Sequence, residues 1–473
     1  MACEWPHLRI DQVAEKVAMG PFGSSIKVST FVPCGIPVIS GQHLRGTRLE
    51  DSEYNFITPE HAERLKNANV YRGDVIFTHA GNIGQAAYIP PSSRYDRYVI
   101  SQRQFFMRCN TALIRPSFVA YYFKTHEGQH KLLANSSPSG VPSIAQPVTY
   151  LRSIELPVPP LLIQDAIANI LGSLDDKIEL NRRMNQTLEE IARAIFKSWF
   201  VDFDPVRAKA AVRREHPNWT NEQVSRAACP KLKPEIAELF PDAFEDSELG
   251  EIPKGWEVTT LGDFVEFVKG RSYRSDELSS SDTALVTLKS FVRGGGYRID
   301  GLKPFTGAYI PKQVVEPGEV VLACTDVTQA GEVIGRTAIV RGSRTYSCLV
   351  ASLDVLIIRP RPPLTRSFVY ELGRSADFVD HTYAHTIGTT VLHLSTDAVA
   401  AFPFAMPPSA LIDRYDQIAV PIIQRSEAIG GDSEMLAAIR DALLPKLISN
   451  ELRIPDAESF IARAQAAAME ATS

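Results

Sequence analysis

His126-Glu127-Gly128-Gln129-His130 is a literal HExxH. On a helix its two imidazoles share a face and could hold Zn²⁺, with Glu127 as the general base of a peptidase. The surroundings oppose that chemistry. Gly128 weakens a helix, Lys124 and Lys131 add positive charge, and no third ligand follows at a sensible spacing. His381 and His385 are also four apart but lack the intervening Glu. The expectation is a surface helix end, with no metal. Other chemistries are missing by motif: there is no GxxxxGK(S/T) phosphate loop and no GxGxxG opening a βαβ unit. Nor is there an Asn/Asp-Pro-Pro-Tyr/Phe tetrapeptide of the kind adenine methyltransferases set against a target amine; Asp204-Pro205 lacks the second Pro and the aromatic. Six scattered cysteines show no ligand spacing and read as reduced thiols of a cytosolic protein. No catalytic residue and no cofactor is expected in this chain.

The elements that position any site are repeated. Gly73-Asp74-Val75-Ile76-Phe77 answers Gly318-Glu319-Val320-Val321-Leu322, and Leu113-Ile114-Arg115-Pro116 answers Leu356-Ile357-Ile358-Arg359-Pro360. Pro159-Pro160 and Pro407-Pro408 each open a long helical pattern. An offset of roughly 245 residues is a duplicated domain-plus-helix unit, far outside the range of solenoid repeats. Residues 1–155 and 256–404 alternate short β-rich runs with Gly/Pro punctuation, each interrupted by a helical stretch (Phe118 to Leu133, and near Phe368 to Val379). From Leu161 to Phe200 apolar residues recur every three or four positions without a Pro, predicting a helix of about 60 Å at 1.5 Å per residue. A second stripe, from about Leu411 to Leu447, is interrupted by Pro421 and Gly430-Gly431 and reads as weaker and kinked.

The fold class is therefore α+β: two duplicated β-rich domains joined by two long antiparallel helices in a coiled-coil-like spacer. The boundaries read as domain 1 at 1–155, a central helix at 156–203, an extended connector with a short helix or two at 204–255, domain 2 at 256–404, a second helix at 405–452, and an Ala-rich fraying tail at 453–473. The alternative is that each stripe packs only on its own domain.

Net charge is −5, which argues against a freestanding nucleic-acid binder. The acid is localised, however. Residues 1–155 carry 16 Lys/Arg against 12 Asp/Glu, whereas 216–255 carry 4 against 8 and 405–473 carry 6 against 10. Phosphate neutralisation would need help from a partner. No apolar run of about 18 residues is present, and the N-terminus lacks the basic head and apolar stretch of a signal peptide, so a cytoplasmic protein is expected.

Several stretches carry a resemblance. Gly20-Pro21-Phe22-Gly23-Ser24-Ser25, leading to Lys27, resembles the opening of target recognition domains in specificity (S) subunits of type I restriction–modification systems. Gly73 to Gly84, and Cys324 to Gly331 in the second copy, are similar to the strand–turn–strand segment of those domains. Leu174-Asp175-Asp176-Lys177-Ile178-Glu179-Leu180-Asn181, ending in Ile195-Phe196-Lys197-Ser198-Trp199-Phe200, resembles their spacer helix most specifically; Gly430-Gly431-Asp432 departs from the pattern.

The resemblance implies a non-catalytic subunit on double-stranded DNA. Each domain would read one half of a split, asymmetric target, and the helices would set the gap. Two methyltransferase (modification) subunits, carrying S-adenosylmethionine, and two restriction (motor–nuclease) subunits would join it. Base-edge readout needs bidentate donors and acceptors. Candidates in domain 1 are Ser24, Ser25, Lys27, Gln42, His43, Arg45, Thr78, His79, Asn82, Gln102, Arg103, Gln104 and Ser136. Those in domain 2 are Arg271, Tyr273, Arg274, Lys289, Ser290, Thr325, Asp326, Thr328, Gln329, Tyr383 and His385. Partner-binding candidates on the helices are Ile178, Leu188, Ile191, Ile195, Trp199, Phe200, Leu436, Ile439 and Leu443. Two other readings stay open: a protein scaffold without DNA readout, and a self-sufficient methyltransferase or nuclease with a degenerate site.

Overall fold

The computed structural model describes residues 5–23, 25–137, 141–327 and 330–470. The chain divides into two compact units, Met1–Arg182 with Gly431–Ser473 and Arg183–Gly430, so the division falls within both long helices.

The first unit holds β1 (Ala14–Met19), β2 (Ile36–Ile39), β3 (Asn55–Ile57), β4 (Asn69–Tyr71), β5 (Asp74–Thr78), β6 (Ala86–Tyr88), β7 (Arg97–Ile100) and β8 (Gln104–Cys109), then a small ladder of β9 (Ser136–Ser137) and β10 (Ser143–Ile144). Two sheets form, in the orders β1-β8-β5-β6 and β3-β2-β7-β4. Strand β5 is buried along its whole length, as an unbroken Val75-Ile76-Phe77 run in a central strand requires. Its one charge, Asp74, lies opposite Arg108 on β8 and receives hydrogen bonds from Nε (2.8 Å) and Nη2 (2.7 Å).

The helical stretch expected from Phe118 to Leu133 is two helices, α1 (Pro116–Tyr122) and α2 (His126–Leu133). Thr125 restarts the helix: its Oγ1 accepts from Gly128 N (3.0 Å). Gly128 packs so closely that a Cβ there would stand 2.2 Å from Tyr122 O. The HExxH is thereby explained. His126 and His130 are exposed, Glu127 pairs with Lys131 (2.7 Å), and among the described residues no three His, Cys, Asp or Glu side chains cluster as a metal site.

Then come α3 (Leu161–Phe200) and a connector of three helices, α4 (Asp204–Glu215), α5 (Asn221–Ala228) and α6 (Pro234–Ala237). The connector is folded rather than extended. Lys209 on α4 is fully buried, its Nζ donating to Asn221 Oδ1 (2.9 Å) and Ala237 O (3.0 Å), which ties the three helices together. Burial pushes its ammonium pKa down.

The second unit repeats the first with β11 (Val265–Lys269), β12 (Thr283–Val286), β13 (Lys303–Pro304), β14 (Val320–Ala323), β15 (Thr325–Asp326), β16 (Thr337–Ile339), β17 (Cys348–Ala351), β18 (Val355–Pro360), β19 (Thr386–Ile387) and β20 (Leu392–Leu394). Its main sheet runs β11-β18-β14-β16, the order of β1-β8-β5-β6. The parallel pair β12·β17 answers β2·β7. Even the buried charge recurs: Glu319 receives Arg359 Nε at 2.7 Å. Helices α7 (Arg366–Leu372) and α8 (Ala376–Ala384) break at Ser375, the cap equivalent to Thr125.

The second long helix, α9 (Ser409–Ile448), runs without interruption through Pro421 and Gly430-Gly431, and α10 (Ile454–Glu470) follows. Gly430 leaves room for an arginine, since a Cβ there would lie 2.9 Å from Arg341 Nη1. In the first unit Leu171 and Leu174 of α3 share a core with Leu436, Ile439, Leu443 and Leu447 of α9, and Ala457 of the expected fraying tail is buried in the same core. Asp175 sits at this joint, accepting from Arg440 (2.7 Å), Tyr121 (2.7 Å) and Thr47 (2.8 Å). In the second unit Phe196, Trp199 and Phe200 pack with Leu411, Ile412, Tyr415 and Ala419 of α9 and with Phe368 of α7. The opening half of α3 thus meets the closing half of α9 and the reverse, an antiparallel pair. Each half also packs on its own β-rich domain.

At the second joint Glu371 is buried beside Arg374 (3.3 Å), which also faces Glu189 (3.6 Å). Its Oε2 has no partner among the described residues. Burial pushes its carboxyl up to about 7. A folded-state pKa raised above the ordinary 4.5 means the native protein binds the extra proton, so stability falls as pH rises from about 4.5 to 7. Glu371→Gln should therefore gain stability relative to wild type on going from pH 5 to pH 8, by up to about 3 kcal/mol. Thermal unfolding at both pH values checks it; a pH-independent difference would contradict this assignment.

Candidate nucleic-acid interface

At one end of the first unit's main sheet, several loops are fastened edge to edge. Gly20 N, just past β1, donates to Gln104 O (2.9 Å). A Cβ on Gly20 would lie 2.1 Å from Ser101 O, so only glycine lets these two turns touch. His79 N donates to Arg103 O (2.9 Å), and Ile144 N donates to His79 O (2.8 Å), joining the ends of β5, β8 and β10. Gly81 N donates to Pro142 O (2.9 Å). Thr78 Oγ1 donates to Gln85 Oε1 (3.0 Å), whose amide donates to Gly41 O (2.9 Å) and fixes the turn carrying Gln42.

Three groups of candidates emerge. Ser25, Lys27, Gln42, Arg45, Asn82, Gln102 and Arg103 are exposed. His79 and Ser136 are half-buried; burial lowers the His79 pKa and favours the neutral ring, whose Nε2 lies 3.0 Å from Gln102 O. His43, Thr78 and Gln104 are buried and hold the loops. His43 Nδ1 accepts from Ser40 N (3.0 Å) while its ring stacks on Tyr54 (centroids 4.4 Å). Phe22 stands exposed on the Gly20–Gly23 loop and was not singled out by sequence, although Gly-Pro-Phe-Gly marks a turn that must lift something outward.

The second unit builds the same frame. Gly270 N donates to Val355 O (3.3 Å), Cys324 N to Asp354 O (2.8 Å), and Leu394 N to Cys324 O (2.9 Å). A Cβ on Gly270 would lie 2.0 Å from Ser352 O. Arg274, Lys289, Tyr383 and His385 are exposed. Arg271 and Tyr273 are half-buried and engaged: Arg271 with Glu277 (3.0 Å), Tyr273 with the Lys303 ammonium (3.2 Å). Ser290, Thr325 and Asp326 are buried and face inward. Ser290 accepts from Thr287 N (3.2 Å), Thr325 donates to Asp354 (2.9 Å), and Asp326 accepts from Val333 N (2.8 Å). Ser24, Thr328 and Gln329 lie outside the described residues.

The helix candidates need correction. Trp199, Phe200, Leu436, Ile439 and Leu443 are buried in the chain's own cores, because large apolar side chains at these positions form the seam and the domain contacts. Ile178, Leu188 and Ile195 are partly covered, and Ile191 is exposed. On α3, Leu180 is exposed in the first unit and Met184 and Ile191 are exposed in the second.

The chain is similar in sequence to known proteins. Residues 4–190 match the family model described as Type I restriction modification DNA specificity domain. The Type I restriction enzyme HindI specificity subunit of Haemophilus influenzae is 24% identical over 422 residues, 81% of this chain and 87% of that one. The MjaIX specificity subunit of Methanocaldococcus jannaschii is 25% identical over 345 residues, 72% and 69% of the two chains. A crystal structure of a type I restriction–modification S subunit from M. genitalium aligns over 94% of this chain and 96% of that one, at 14% identity and TM-score 0.49. In sequence the chain is similar to specificity subunits of type I restriction–modification systems.

Proposed function

We propose that this chain directs a methyltransferase and restriction assembly to a split, asymmetric DNA target, each β-rich domain reading one half-site through the fastened loops. One observation carries the reading: the same frame of backbone hydrogen bonds, with a glycine at the same close approach, is built twice, and the exposed side chains on it differ. A fixed frame with variable outward groups is what two distinct half-sites call for. Asn82, Gln102 and Arg103 suit adenine and guanine edges, and the buried candidates position their loops. Antiparallel α3 and α9 set the interval between half-sites, which on one face of B-DNA is about 34–36 Å or a multiple.

Two methyltransferase subunits, carrying S-adenosylmethionine, dock on the exposed part of α3 marked in the second unit by Met184 and Ile191, and two restriction subunits join for cleavage. No helix of the described residues is long and apolar enough to cross a membrane, and the assembly acts in the cytoplasm, where it meets DNA. The net charge of −5 leaves much of the phosphate contact to those partners. Selection of random duplexes by the assembly, followed by footprinting, is expected to give two defined blocks around an undefined gap. A protected region without a common sequence would overturn the reading.

A further inference from the structure

Register makes the two reading surfaces comparable residue by residue. In the first unit a row runs Ala80–Ser143–Ser137, from the Ala80↔Ser143 bridge and the Ser143↔Ser137 pair. In the second, the equivalent row is Thr325–His393–Ile387. Two residues beyond Ala80 stands Asn82; two beyond Thr325 stands Val327. The carbonyl that accepts from His79 N belongs to Arg103, and the one that accepts from Cys324 N belongs to Asp354, so Gln102-Arg103 corresponds to Leu353-Asp354. Where the first surface carries Asn82, Gln102 and Ser137, the second carries Val327, Leu353 and Ile387, while Asp354 replaces Arg103 and His393 replaces Ser143. Val327, Leu353 and Ile387 are 72%, 54% and 71% exposed.

Large aliphatic side chains held outward on a rigid frame call for an apolar occupant. Yet Leu353 N is bonded to Arg271 O (2.8 Å), and although Arg271 is paired with Glu277, exposed Lys269 two residues earlier brings a positive charge to the patch's border. An occupant apolar at its centre and anionic at its margin is a major groove lined with pyrimidine C5-methyl groups between phosphate strands. Resting on the function proposed above, we infer that the second unit reads thymine methyls through Val327, Leu353 and Ile387, whereas the first unit reads purine edges by hydrogen bonds. The two half-sites then differ in the kind of contact that recognises them, as well as in sequence.

The test uses the full-length chain in its native assembly and synthetic duplexes free of modified cytosine, so that any methyl read is thymine's. After the target has been selected from random sequence, dT is replaced by dU in one half at a time and binding is measured. Removing each contacted methyl is expected to weaken binding about 4-fold, from about 0.8 kcal/mol per buried carbon, in one half only. Val327→Ser with Ile387→Ser should weaken binding to the dT duplex and erase the difference between dT and dU; both residues are surface positions, and unchanged footprints on the other half verify the fold. Uracil tolerated in both halves, a sensitivity that survives the double variant, or a second half-site without thymine overturns the inference while leaving sequence-directed binding intact. Loss of any sequence-defined footprint in the wild-type assembly is the separate result that overturns the function itself, and this inference with it.

Discussion

Leu443→Asp is expected to unfold the first unit, whereas Ile191→Asp should leave the fold intact and abolish assembly with the methyltransferase. Leu443 is fully buried on α9, in the core that also holds Leu171 and Leu174 of α3 and Phe118 of α1. An unpaired carboxylate there loses an apolar side chain and adds a desolvated charge, together about 5 kcal/mol or more. That equals the whole stability of many domains. Ile191 is exposed on α3, so a charge there should change stability by less than about 0.5 kcal/mol. If the outward face of α3 is the dock, one carboxylate in a hydrophobic contact is enough to prevent it. Thermal unfolding and co-purification separate the two effects. A stable Leu443→Asp protein would contradict the helix seam, and an Ile191→Asp protein that still assembles would move the dock elsewhere.

Much of this architecture was legible in the sequence, for identifiable reasons. Forty residues with an uninterrupted apolar period could only be a long helix, and Leu161–Phe200 has those bounds. The repeat announced two similar domains, and the order of the main four-stranded sheet recurs in both. Failures came where tertiary context overrides local signals. Pro421 and Gly430 suggested a weaker, kinked helix, and the chain is helical through both, with Gly430 clearing Arg341. The polar connector looked extended because nothing local shows that Lys209 will be buried among carbonyl acceptors.

Turn composition marked the right loops without telling inward from outward polar groups. Asn82 and Thr78 belong to one turn, yet Thr78 is buried on Gln85 and Asn82 is exposed. On the long helices the same confusion ran the other way. A seam and a dock both read as apolar spacing, and only packing separates Trp199 from Ile191.

The most direct test of the account exchanges residues 1–155 for the corresponding domain of a similar specificity subunit and selects the target from random duplexes. Because the second unit keeps its own frame and side chains, and α3 and α9 are retained, one half-site should be replaced outright while the other half and the gap remain. Discrimination of about 1–3 kcal/mol per read base pair makes such a replacement unmistakable. A target altered in both halves, or in neither, would contradict one-domain, one-half-site reading.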